Sequence, residues 1–139
     1  MDGNDQDSLA LCIYKESRGD GAGAMHAVAH VICNRVGKPG FGSTLHDVIY
    51  GKNQFTSMSV PSDPEFNLQP PDGDQSFSAA QWIVSNLPDD DETKGALYYA
   101  NLKTMNPGGW FSRNISGSDG QGTPGHPLTL VVGHHHFYA

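Results

Sequence analysis

At 139 residues with 37% hydrophobic composition, the chain is long enough for one domain with a real core. Its formal charge of −7 and lack of any basic run argue against a nucleic-acid footprint and against electrostatic docking on an anionic surface. No apolar run approaches the roughly 18 residues of a membrane span.

The N-terminus, MDGNDQDS, is acidic and polar, the opposite of a secretory signal. The chain is therefore cytoplasmic, exported by another route, or given without its leader, and its localisation stays open. Asp5 or Asp7 is expected to cap a first helix running to Gly19. Within it Leu9, Cys12, Ile13 and Glu16 fall at i, i+3, i+4 and i+7, one helix face. A carboxylate on an apolar face is either paired, for which Arg18 is the nearest partner, or useful there. Burial disfavours the charged form of a carboxyl, and a carboxyl that keeps its proton can act as a general acid.

Gly19 to Gly23 (GDGAG) makes a tight connection to a second helix ending near Val36. Met25, Val28, Ala29, Ile32 and Val36 keep helical spacing. His26 and His30, one turn apart, read either as a metal pair or as half-exposed surface residues. Cys12 and Cys33 read as two buried free thiols, with one disulfide between adjacent helices as the alternative. Gly37 to Gly42 is a loop. Ser43 or Thr44 caps a short helix that stops at Gly51. The polar segment Lys52 to Thr56 has no evident structural purpose, and residues 60–75, with four prolines, read as an irregular surface loop.

A third substantial helix starts at Ser76, with Phe77, Ala80, Ile83, Val84 and Leu87 on its buried side, and ends at Pro88. Asp89 to Glu92 is an acidic turn whose spacing matches no calcium loop, so it reads as a solvated turn. Ala96 to Ala100 is strand-like, and Asn101 closes it. Residues 103–126 are rich in Gly and Ser. Trp110-Phe111 within them is either a satellite core or a platform for the flat face of a sugar. The end, Leu128 to Tyr138, reads as a hairpin turning near Val132-Gly133. His135 shares a face with Phe137, opposite His134 and His136. A zinc site from His134 and His136 is geometrically allowed, but no matching partner set stands elsewhere in the chain.

No phosphate loop and no GxSxG motif are present, and neither cysteine has an electropositive context. What remains is one marked acid, Glu16, the amides Gln54 and Asn101, and the aromatics Tyr98, Tyr99 and Trp110. This set suits carbohydrate chemistry. Glycosidases usually need two carboxylates, and Asp20, Asp47, Asp63 and Glu65 are candidates that nothing in their setting marks. One carboxylate suffices when the substrate carries its own nucleophile, as the C6 hydroxyl of muramic acid does in peptidoglycan.

The segments IYKESRGD (Ile13 to Asp20) and HAVAHVICNRV (His26 to Val36) resemble the start of the SleB/CwlJ-type cell-wall hydrolases, the spore-cortex-lytic enzymes and their phage and bacterial relatives. Gln54-Phe55-Thr56, Gly95 to Asn101, Trp110 and Gly133 to Tyr138 match later landmarks in order. The same positions resemble the motifs of lytic transglycosylases of the goose-type lysozyme class. The resemblance implies a lysozyme-like α+β domain spanning 1–139, mainly helical, with a small antiparallel sheet that includes the C-terminal hairpin. It implies Glu16 as the acid/base, supported by Ser17, with Gln54, Tyr99 and Asn101 lining sugar subsites. His135 matches the family's single His before Phe-Tyr. Ser17, Asp20 and Ala24 depart from the commoner Ala, Glu and Gly. No metal or other cofactor is implied, and a monomer acting on peptidoglycan glycan strands is expected. A phage endolysin would need neither leader nor wall-binding module. The alternatives are a hydrolytic muramidase, an inactive peptidoglycan-binding module, and a metal protein built from His26, His30 and the C-terminal histidines. The sheet is expected beside the first helix, with Glu16 opening into a groove walled by residues 52–75 and 103–126.

Overall fold

A computed structural model describes residues 1–139. Helix α1 (Gly3–Ser17) buries Leu9, Ala10, Cys12, Ile13 and Tyr14. Its cap is Asp2 rather than Asp5 or Asp7: the Asp2 carboxylate accepts from the Asp5 amide, and Asp5 lies in the first turn where a negative charge suits the helix dipole. A 3₁₀ turn (Arg18–Asp20) leads directly into α2 (Gly21–Arg35). Ala24, Ala27 and Ala29, all fully buried, let α2 approach its neighbours closely. Helix α3 (Leu45–Tyr50) is capped by Thr44, whose side chain accepts from the Asp47 amide.

A single-turn helix α4 (Thr56–Ser59) follows, where the sequence suggested no structure. Helix α5 (Gln75–Ser85) packs on α1 and α2. Asp74 caps it with one carboxylate oxygen on the Phe77 amide, while the other accepts from the Tyr14 hydroxyl of α1 at 2.9 Å. One residue thus starts α5 and docks it.

The sheet has the order β1-β4-β3-β2, all antiparallel: β1 (Tyr98–Asn101), β2 (Gly122–Thr123), β3 (His126–Val132) and β4 (His135–Tyr138). Tyr99 stands opposite Phe137 and Asn101 opposite His135. Phe137, fully buried, brings the sheet into the helical core. The expected α+β architecture, helices beside a small sheet closed by the C-terminal hairpin, is the one observed. Gly122 has φ +102, and a Cβ there would meet the His126 carbonyl at 2.4 Å, so only glycine lets β2 pair with β3.

Two local expectations change, at the acidic turn and at His30, and two readings left open resolve. The acidic turn is not simply solvated. Asp91 accepts from the Thr93 amide and hydroxyl, the Gly95 amide and Asn34 of α2. These bonds fold residues 91–95 into a turn, which delays β1 to Tyr98. His30 is buried rather than on the surface, because the stripe of α2 that carries it faces this turn. Cys12 and Cys33 are both free, and burial pushes both thiols up, so they stay protonated. His134 lies exposed in the hairpin turn, and no metal-ligand cluster forms around it or His136.

The Asp74 carboxyl titrates below its ordinary value because the Phe77 amide and the Tyr14 hydroxyl bind its charged form. Its stabilising effect is therefore complete above the unfolded value of about 3.9 and is lost as pH falls through the lower native value. Asn also caps helices well. Asp74→Asn is expected to flatten the acid-side loss of stability below about pH 4, read by urea unfolding at stepped pH.

Candidate active site

Glu16 occupies the last turn of α1, partly exposed among buried neighbours. It does not pair with Arg18. That guanidinium reaches Glu65 at 2.5 Å and lies over the Tyr14 ring instead. The Glu16 carboxylate has no cationic partner. Its Oε1 accepts from the Tyr99 hydroxyl at 2.9 Å and its Oε2 from the Ser57 hydroxyl at 3.0 Å.

Each donor is held by its own part of the fold. Lys15, next to Glu16, is buried, and its ammonium donates to the carbonyls of Ser57 and Phe66. Burial lowers the Lys15 pKa, but those carbonyls and the carboxylates of Glu65 and Asp63 surround it. Lys15 therefore fixes the backbone of Ser57, and Ser57 turns its hydroxyl back to the residue after Lys15. Tyr99 comes from β1. Its ring stacks on Phe137 at 5.8 Å and tilts over His135 at 5.7 Å. Burial and the Glu16 charge push the Tyr99 hydroxyl well above its ordinary value, so it remains a neutral donor.

Tyr99 also lines a groove of about 550 Å³ together with Gln54, Tyr98 and Trp110. Four sequence-predicted residues thus meet in one groove, and Tyr99 joins it to Glu16. Trp110 is 60% exposed, with its ring on the groove wall. Its neighbour Phe111 packs on Tyr98 and Tyr138, so the aromatic pair serves as wall and satellite core at once. Residues 52–75 contribute only Asn53 and Gln54 to the wall. The loop bearing Pro39, Gly40 and Phe41, read from sequence as a plain connection, supplies the rest with Arg35.

Four predicted residues lie outside the groove lining: Glu16 itself, which reaches it through Tyr99, and Ser17, Asn101 and His135. Ser17 is buried and donates to the Ile13 carbonyl one turn back, a back-bond that removes it from Glu16's surroundings. Asn101 accepts from the Lys103 amide, shaping the turn after β1. His135 is buried and donates from Nδ1 to the Asp20 carboxylate. A Cβ on Gly133 would meet that carboxylate at 2.9 Å, so glycine also permits this approach.

Sequence reasoning missed Ser57 and Arg35. Arg35 is buried, donates from Nε to the Leu97 carbonyl, and lies over the rings of Phe41, Phe55 and Tyr99. It lies in the last turn of α2, where a cation suits the helix dipole and needs no further role. Nothing local marks Ser57.

A model of the cell wall hydrolase family matches residues 19–138. A spore cortex-lytic enzyme of Halalkalibacterium halodurans is 31% identical over 110 residues, 79% of this chain and 31% of that protein. One from Bacillus cereus is 34% identical over 101 residues, 73% of this chain and 36% of that protein. The chain spans about a third of the length of these curated relatives. Among solved structures, the catalytic domain of the Bacillus cereus SleB protein superposes with a TM-score of 0.68 at 28% identity, covering 99% of this chain and 91% of that one. The catalytic domain of the germination-specific lytic transglycosylase SleB from Bacillus anthracis gives a TM-score of 0.69 at 27% identity, covering 100% and 97%.

Arg35 is a planar cation wedged among three rings, a place a lysine ammonium does not fill. Arg35→Lys is expected to destabilise the fold by about 1–3 kcal/mol, measured by urea unfolding at neutral pH.

Proposed function

The chain belongs to the cell wall hydrolase family, and on that footing we propose that it cleaves the β-1,4 bond between N-acetylmuramic acid and N-acetylglucosamine in peptidoglycan, as a lytic transglycosylase with Glu16 as its single acid/base. The observation that carries this reading is a carboxylate without a cation, held by two neutral hydroxyls beside a groove walled with aromatic rings.

Glu16 in its protonated form gives its proton to the glycosidic oxygen as the bond from the muramic-acid C1 breaks. The departing sugar leaves as an alcohol, and positive charge develops on the remaining ring. The Glu16 carboxylate then takes the proton of that sugar's own C6 hydroxyl, whose oxygen bonds to C1. The products are a 1,6-anhydro sugar and a new non-reducing end, with no water consumed. Tyr99 and Ser57 hold the carboxyl in one orientation through both proton transfers. Trp110 and Tyr98 offer faces on which sugar rings stack.

The preference for this route over hydrolysis rests on the other acids. Inversion or retention by water needs a second carboxylate across the scissile bond. None of the candidates lines the groove, nor does Glu16, but Glu16 alone is hydrogen-bonded to a residue that does, Tyr99. Asp20 is committed to His135, Glu65 to Arg18, and Asp63 to Thr56 and the Glu65 amide, while Asp47 lies exposed on α3.

Purified peptidoglycan digested with the wild type is expected to yield anhydromuropeptides by mass spectrometry. Glu16→Gln should lower the rate by about 10²–10⁴ with the fold intact. Reducing-end muropeptides from the wild type would establish hydrolysis instead. Full activity of Glu16→Gln would remove Glu16 from the mechanism. Trp110→Ala is expected to raise KM by up to roughly tenfold, the loss of one stacking contact, with little change in kcat.

A further inference from the structure

His26 and His30, one turn apart on α2, meet edge to face with ring centroids 5.1 Å apart. Glu92, from the turn before β1, reaches both. One oxygen stands 2.7 Å from His26 Nδ1 and the other 3.5 Å from His30 Nε2. One donor atom from each of the three residues lies within 4.8 Å of the others.

His30 makes the cluster more than a surface ion pair. It is 5% exposed, and its Nε2 is buried without a hydrogen-bond partner. A buried polar atom left unmatched costs free energy, so it needs a reason. Its other nitrogen faces the Asp91 carboxylate at 3.8 Å. Asp91 is itself held by Thr93, Asn34 and Gly95. At 3.8 Å this carboxylate is outside hydrogen-bond reach, but it stands behind the imidazole, on the side where the outer partner of a metal-bound histidine lies.

We propose that His26, His30 and Glu92 form a binding site for a divalent transition-metal cation of the zinc class. Two imidazoles and one carboxylate suit such a cation, whereas calcium and magnesium prefer all-oxygen sets. Tetrahedral ligands about 2.0–2.2 Å from zinc stand roughly 3.3 Å from one another. The separations here bracket that value, so small rotations of His26 and Glu92 close the site around the ion. Three protein ligands leave one position open. His26 and Glu92 also line an apolar groove of about 600 Å³ with Trp82, Ile83, Leu130 and Val132. None of these residues lines the groove of Tyr99 and Trp110. The ion would tie α2 to the turn that starts the sheet, and by binding only the folded chain it would stabilise it.

The test uses the whole chain, stripped with a chelator, exchanged into metal-free buffer and titrated with zinc chloride by calorimetry. Cobalt(II) absorption reports the coordination geometry, and thermal unfolding is followed with and without zinc. The expected result is one zinc per chain, visible cobalt bands of tetrahedral intensity, and a higher Tm with zinc. His26→Gln and Glu92→Gln, both at partly exposed side chains, should each weaken zinc binding by at least about tenfold. The double variant His134→Ala/His136→Ala should bind as the wild type does. Absence of zinc binding by the folded wild type overturns the proposal. So does affinity unchanged in both His26→Gln and Glu92→Gln, or lost only in the His134/His136 variant. Circular dichroism identifies the folded variants on which these comparisons are made.

Discussion

The hydrogen bond from the Tyr99 hydroxyl to the Glu16 carboxylate spans 83 residues of sequence and joins the sheet to the first helix. A carboxylate on the packed side of a helix must find donors or leave an unmatched charge, which is expensive in a low-dielectric setting. Here no cation answers it. Two hydroxyls do, one from β1 and one from α4. For both to arrive, the sheet must sit against the end of α1, and α4 must be drawn in from the other side. The stack of Tyr99 on Phe137 accomplishes the first, and the two carbonyls on the Lys15 ammonium the second. The carboxylate thus depends on the core of both layers.

This arrangement explains why consecutive residues of α1 have opposite characters. Lys15 is buried and donates to two backbone carbonyls, while Glu16 is partly open and hydrogen-bonded only by neutral groups. A salt bridge between Glu16 and Arg18 would have tied the carboxylate up as a stable ion. Glu65 takes Arg18 instead, and leaves Glu16 with partners that accommodate both of its protonation states. That is the electrostatic condition a group needs if it is first to give a proton and then to take one.

Much of the fold was legible because it follows from local rules. The helical periodicities, the Thr44 cap, the hairpin turn and the marked position of Glu16 are all short-range features. Ser57 was illegible for the opposite reason: its importance comes from Lys15 holding its carbonyl 42 positions away. Arg35 stands at a helix end, where a cation needs no further explanation in sequence, and is a buried hub among aromatics from three segments. Ser17 illustrates the reverse error. Adjacency to Glu16 in sequence suggested adjacency in the site, but neighbouring helical residues point about 100° apart, and the hydroxyl turned to its own helix. The turn at 91–95 shows how side-chain acceptors can organise backbone that reads as solvated acid.

Asp20 bears most directly on which chemistry the groove can host. It is close to Glu16 in sequence and is one of the four candidates for a second carboxylate. The 3₁₀ turn after α1 carries it toward the C-terminal hairpin, where it accepts from His135 against the glycine of the turn. It leaves the first amides of α2 without a side-chain cap in order to do so. His135 in turn lies under Tyr99, so the Asp20–His135 pair supports the ring whose hydroxyl holds Glu16. Asp20 therefore stands behind the ring whose hydroxyl holds Glu16. On the proposed reading, a site with one free carboxyl and one supporting carboxyl fits a substrate that supplies its own nucleophile better than one that must borrow water.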